Sequence, residues 1–195
     1  MTNHPRPQAL VVYESIFGNT RAVAEAIGRG LGDRYEVRIV EVSQAPAAPD
    51  DIDLIVVGGP IHAWGMTRES TRHDARNQAL AHGIQPASTG IGVREWLAQL
   101  PARSDDMAAA AFDTAVKMRW FPVGSAGKGE AARLREHGYR VLVPPEHFFV
   151  TDTDGPLVDG EIDRATQWAA ALATVAETSS TIGKAPDSAP GSSPD

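Results

Sequence analysis

The sequence predicts an α/β protein: one three-layer α/β/α sandwich built on a parallel sheet. Three observations carry that expectation. Short, wholly apolar runs alternate along the chain with segments of helical period, which is the pattern of strand–helix–strand crossovers. The apolar runs at 9–13 and 53–57 show no in-out alternation, so both faces of these strands are to be buried, as happens inside parallel sheets. The chain has 195 residues, 42% hydrophobic and 22% charged, which suits one globular domain with a single substantial core. Right-handed crossovers then distribute the helices over both faces of the sheet.

The elements follow in order. Residues 9–13 form the first strand. Residues 20–31 form a helix in which Val23, Ile27 and Leu31 recur every fourth position and Gly30 and Gly32 close the pattern. A second strand covers 35–42, and a third covers 53–57 and runs into Gly58, Gly59 and Pro60. Residues 61–89 are polar, rich in arginine and histidine and weakly periodic; they read as a long connection with a helical turn around 70–81, and a connection of that length is usually functional. A helix at 91–100 ends at Pro101, a fourth strand covers 108–116, and a helix at 126–137 stops at Gly138. The fifth strand, 139–143, is interrupted by Pro144 and Pro145 and resumes at 146–150 as an edge segment, where proline is tolerated. The last helix spans 161–175. The domain is expected to occupy residues 9–176, between a flexible N-terminus (1–8) and a disordered tail (177–195) rich in Ser, Thr, Pro and Gly.

Composition narrows the chemistry. There is no cysteine, so disulfides, thiolate-held clusters and cysteine nucleophiles are excluded and any redox work falls to a bound group. A net charge of -7 argues against nucleic acid as a partner. No run of residues has the length and apolarity of a membrane span, and the first residues lack a signal-peptide core, so a cytoplasmic location is expected.

The polar loop between the first strand and the first helix, Ser15, Ile16, Phe17, Gly18, Asn19 and Thr20, invites two readings. Asn19 or Thr20 is an N-cap and Ser15 a turn residue; or the loop and the helix N-terminus form an anion cradle that uses backbone N–H groups, because no cation precedes Arg21. Ligands of open parallel sheets bind beyond the carboxyl ends of the strands where the strand order reverses, and this loop occupies that place.

These residues resemble the phosphate loop of flavodoxins, Thr/Ser-x-Thr-Gly-x-Thr, at Ser15, Gly18, Asn19 and Thr20, with Phe17 standing where a hydroxyl residue is usual. After the third strand, Gly58, Gly59, Pro60, Ile61, His62, Ala63, Trp64, Gly65 and Met66 are similar to the Gly-x-Pro-Thr-x-Phe/Tyr-Gly loop of flavodoxin-like quinone reductases, with Ile61 replacing the threonine and one residue inserted before the aromatic. The resemblance implies a flavodoxin-like sheet of five parallel strands in the order 2-1-3-4-5 that binds FMN non-covalently. It implies that Ser15 to Thr20 hold the phosphate and that Pro60, Ile61, His62, Ala63, Trp64 and Gly65 meet the ring, with Trp64 stacking on it. After the fourth strand, Trp120 is the implied second aromatic, with Asp113 and Thr114 near the ring's polar edge or the ribityl chain.

The expected activity is electron transfer with a redox partner protein or a small-molecule acceptor. The alternatives are an FMN-dependent quinone-type oxidoreductase and an interaction module that has lost its FMN. Residues 124–129 miss the first glycine and the hydroxyl of a nucleotide P-loop. The glycine after Asp152 falls too early for a calcium loop, which leaves turns as the reading there. Arg68, Arg72, His73 and Arg76 gather into either a small basic lip or a solvated helix face.

Overall fold

A computed structural model describes residues 6–62, 65–104, 107–117 and 124–182. The chain runs β1 (Gln8–Tyr13), α1 (Asn19–Leu31), β2 (Glu36–Glu41), β3 (Leu54–Pro60), α2 (Glu69–Ala81), α3 (Val93–Gln99), β4 (Ala108–Val116), α4 (Ala126–Glu136), β5 (Arg140–Val141), β6 (Glu146–Val150) and α5 (Glu161–Ile182). The sheet order is β2-β1-β3-β4-β5, and every ladder is parallel. The fifth position holds two pieces. Arg140 and Val141 pair with Ala108 and Ala109, and Glu146–Val150 pair with Phe112–Val116, with Pro144 and Pro145 between them. A ring that lacks an N–H cannot continue the ladder, which is why the strand divides there.

Both faces of the sheet are buried, as the unalternating strands require. Ala9, Val11 and Tyr13 of β1 pack with α1 and α5, while Leu10 and Val12 face the other layer with Trp96 and Leu97 of α3 and Leu134 of α4. Two glycines fix close approaches. A Cβ at Gly58 would overlap the buried Phe112 ring, and one at Gly30 would meet the Thr166 carbonyl of α5. Gly30 therefore lies inside α1 as a contact point between helices, and the C-cap is Gly32. Across the sheet, Phe112, Phe148 and Trp168 stack edge to face at 6.1 Å centroid separations, a favoured arrangement for aromatic rings.

Two elements are longer than the sequence pattern suggests. The connection at 61–89 contains a full helix, α2, whose buried stripe is Arg72, Ala75 and Ala79. An arginine and two alanines at i, i+3 and i+7 have helical spacing but almost no hydrophobic contrast. The final helix continues to Ile182 instead of stopping at 175. Thr174 and Thr178 donate to carbonyls four residues back, and Glu177 pairs with Arg34 at 3.5 Å, so polar residues extend the helix without burying much surface. Among the described residues no helix is long and apolar enough to cross a membrane.

Candidate functional site

The loops at the carboxyl ends of β1, β3, β4 and β6 surround a cavity of about 250 Å³. It is lined from the first loop by Ser15, Ile16, Phe17, Asn19 and Thr20, from β3 and its exit by Pro60, Ile61 and His62, and from the far side by Thr114, Val116, Val150 and Thr153. Gly18 turns the chain into α1 at φ 92°, a left-handed conformation that favours glycine, and a Cβ there would meet nothing within 4 Å. No side chain caps α1. The first-turn amides of Asn19, Thr20 and Arg21 precede the first intrahelical bond, Ala22 N–H to Gly18 O, and so remain available as donors.

The side chains of this loop are held in place. The Gly18 N–H donates to Ser15 Oγ at 3.1 Å, which leaves the Ser15 hydroxyl proton free to point elsewhere. Ser88 Oγ accepts from Ser15 N–H at 2.9 Å, and the Ser88 N–H donates to Ser15 O at 2.7 Å, which ties the loop to the segment after α2. Thr20 and Thr114 share a buried hydroxyl–hydroxyl bond at 2.8 Å. Asn19 donates to the Asp154 carbonyl at 3.2 Å. Phe17 packs against the cluster of Ile16, Ala75 and Ala79, so its ring leans towards α2 and the cavity persists beside it.

Several expected residues lie elsewhere. Asp113 does not line the cavity. Neighbouring strand residues face opposite sides of a sheet; Thr114 looks into the cavity, while Asp113 accepts from Gly127 N–H at 2.8 Å and Ser125 Oγ at 3.1 Å and pairs with His147 Nδ1 at 2.5 Å. Gly65 is outside this cavity and exchanges backbone hydrogen bonds with His62 at 2.9 and 3.1 Å. Ala63, Trp64 and Trp120 lie outside the described residues. Burial, then the nearby charge of Arg72, pushes the His62 pKa below its ordinary value, so the imidazole is neutral at pH 7.

Comparison with known proteins matches this architecture. The Flavodoxin domain family profile covers residues 10–81, which include the whole first loop and the exit of β3. The chain has a flavodoxin-like fold. A flavodoxin from the domain Archaea aligns at 21% identity over 87% of this chain and 99% of its own, with a TM-score of 0.56. Oxidised Flavodoxin 1 from Bacillus cereus aligns at 16% identity over 86% and 97%, with a TM-score of 0.60. The flavodoxin, WrbA-like protein from Agrobacterium tumefaciens aligns at 17% identity over 88% and 98%, with a TM-score of 0.55. At these identities the likeness is one of fold. No curated protein matches the sequence.

In this flavodoxin-like chain the loops stand on a buried polar network that the sequence reading missed. Glu14, directly after β1 and 1% exposed, accepts from Thr67 Oγ1 at 2.7 and 2.8 Å and from Val93 N–H at 2.9 Å. Arg72 donates to Thr67 Oγ1 at 3.1 Å and pairs with Glu95 at 3.0 Å. These contacts join the end of β1 to the 65–68 segment, α2 and α3. Burial raises the Glu14 pKa against the hydrogen bonds from Thr67 and Val93 and the charge of Arg72. Glu130 on α4 is fully buried, and neither carboxyl oxygen has a hydrogen-bond partner among the described residues. A Cβ at Gly59 would sit 3.2 Å from its Oε1. Burial, then the charges of Asp113 and Glu14, pushes its pKa well above the usual carboxylate range. A carboxylate immediately after a buried strand was the available signal for Glu14; nothing local in the sequence marks Glu130.

Proposed function

We propose that the cavity binds FMN non-covalently and that the protein works in electron transfer, with a redox partner protein or a small-molecule acceptor. One observation carries the reading: a single cavity joins the glycine-turned loop at 15–20 to the exit of β3. The residues present fit the group. The phosphate belongs with the amides of Asn19, Thr20 and Arg21 and the hydroxyls of Ser15 and Thr20, donors that hold a dianion without a cationic side chain. Pro60, Ile61, Val116 and Val150 offer apolar surface suited to a flat ring, and the expected contacts of Ala63, Trp64 and Trp120 belong to the same proposal.

FMN supplies the electron-transfer chemistry, and the protein supplies binding, orientation and electrostatics. The Thr20–Thr114 bond couples the phosphate loop to β4, so the two ends of the site keep a fixed spacing. A neutral His62 can hydrogen-bond without adding charge. The net charge of -7 opposes further negative charge on the reduced group, which favours a low potential.

The test is a titration of FMN-free protein with FMN, read by flavin fluorescence and visible absorbance. Saturable one-to-one binding is expected. Replacing Gly18 with valine forces a β-branched residue into left-handed backbone, which costs on the order of 1–3 kcal/mol, and should weaken FMN binding by about tenfold or more. Wild-type protein that takes up no FMN, or a Gly18→Val variant with unchanged affinity and stability, would refute the placement.

A further inference from the structure

A second cavity, also about 250 Å³, adjoins the first at His62, which lines both. Its other walls are Gly65, Met66, Arg68, Ser70, Thr71 and Arg94. Among the described residues no carboxylate lines it, although the chain carries 25 acidic residues against 18 basic ones. The next hollow along α2 shows the more ordinary mixture, with Glu69 and Asp74 beside His73 and Arg76.

The two guanidinium groups differ in how they are held. Arg94 donates to the Thr67 carbonyl at 2.9 Å and the Met66 carbonyl at 2.8 Å, so it is fixed before any ligand arrives. Neither it nor Arg68 pairs with a carboxylate among the described residues. Arg68 is exposed, and only its backbone is engaged, with Thr71 Oγ1. The other basic residues of α2 are committed elsewhere: Arg72 to Thr67 and Glu95, and Arg76 to the Ser88 and Gly90 carbonyls. A preset guanidinium without a counter-ion, sharing a concave space with an exposed one and two hydroxyl residues, suits a planar or tetrahedral oxyanion.

We propose that this second cavity is an anion subsite that takes the phosphate or carboxylate group of a small molecule whose remainder extends past His62 into the first cavity. This rests on reading the first cavity as the flavin site, since the molecule would be the one that meets the flavin there. The subsite selects among redox partners by an anionic handle placed to one side of the ring.

The experiment uses the full chain saturated with FMN, so that an added anion cannot occupy the first loop. Inorganic phosphate and succinate are titrated separately while backbone amides are followed by NMR. Saturable shifts are expected at Gly65, Ser70 and Thr71 with at least one of the two anions, and the responding anion identifies the handle. Arg68→Gln should weaken that binding by about tenfold, as loss of a charge-assisted hydrogen bond does. Arg135→Gln, on an exposed part of α4, should leave it unchanged. Shifts that fail to saturate with either anion, or equal weakening by both variants, overturn the proposal. Failure of the flavin reading registers separately: the protein would not take up FMN, and phosphate shifts would appear at residues 15–20.

Discussion

Replacing Glu130 with glutamine should stabilise the protein, increasingly so as pH rises. The side chain is fully buried, neither oxygen has a partner among the described residues, and the carboxyls of Asp113 and Glu14 disfavour a further negative charge beside them. Its folded pKa is raised well above 4.5, so the native state keeps a proton that the unfolded chain releases. The sign follows by linkage. The native state binds more protons than the unfolded state, so Glu130 costs no stability below about pH 4.5, and stability falls as pH climbs from there towards the folded pKa. The slope is about 1.4 kcal/mol per pH unit while the native carboxyl stays protonated. Glutamine has nearly the same volume and no proton to lose. The difference in unfolding free energy between variant and wild type should therefore grow as pH rises above 4.5 and level off once pH passes the folded pKa. Urea unfolding of the FMN-free full chain at pH 5, 6, 7 and 8, followed by circular dichroism with m held common, measures that difference. A difference that stays flat with pH would refute the reasoning, because it would mean that Glu130 ionises alike in both states.

Two further outcomes test the packing around the site. Gly58→Ala drives a methyl into the Phe112 ring, which is buried and cannot withdraw; a loss of roughly 1–3 kcal/mol in urea unfolding is expected, with part of it recovered by Phe112→Leu. Thr20→Val and Thr114→Val each strip a buried hydroxyl of its partner and should each cost roughly 1–3 kcal/mol, whereas the double variant should cost clearly less than their sum; additive losses would show that the two hydroxyls do not depend on each other.

The parts of the fold that could be read from sequence are those whose signal is local. β1, β3 and β4 are short apolar runs because both of their faces are covered, and the first loop stands out because polar residues abruptly interrupt such a run. α2 was obscured because its buried stripe is an arginine with two alanines, and that arginine is buried only because Glu95 and Thr67, distant in sequence, reach it. Asp113 was assigned by its position after a strand, but the pleat directs it to α4 and His147 and gives the cavity to Thr114. Glu14 and Glu130 owe their character to neighbours brought together by tertiary structure, which periodicity cannot encode. Gly30 was taken as a stop, yet its meaning is the backbone of α5 against it.

The divided fifth strand also bears on how the molecule behaves among its own copies. An unbroken outer strand would present a row of free amides and carbonyls onto which another chain could add. Here the rim has only two paired residues, Arg140 and Val141, before Pro144 and Pro145 interrupt it. Beyond them the chain folds back along Glu146–Val150: Thr151 N–H donates to Pro156 O, and Val158 N–H to Phe149 O. The opposite rim, Glu36–Glu41, is an unbroken strand that carries exposed charges of both signs at Glu36 and Arg38. Proline on one flank and charge on the other both work against sheets joining edge to edge.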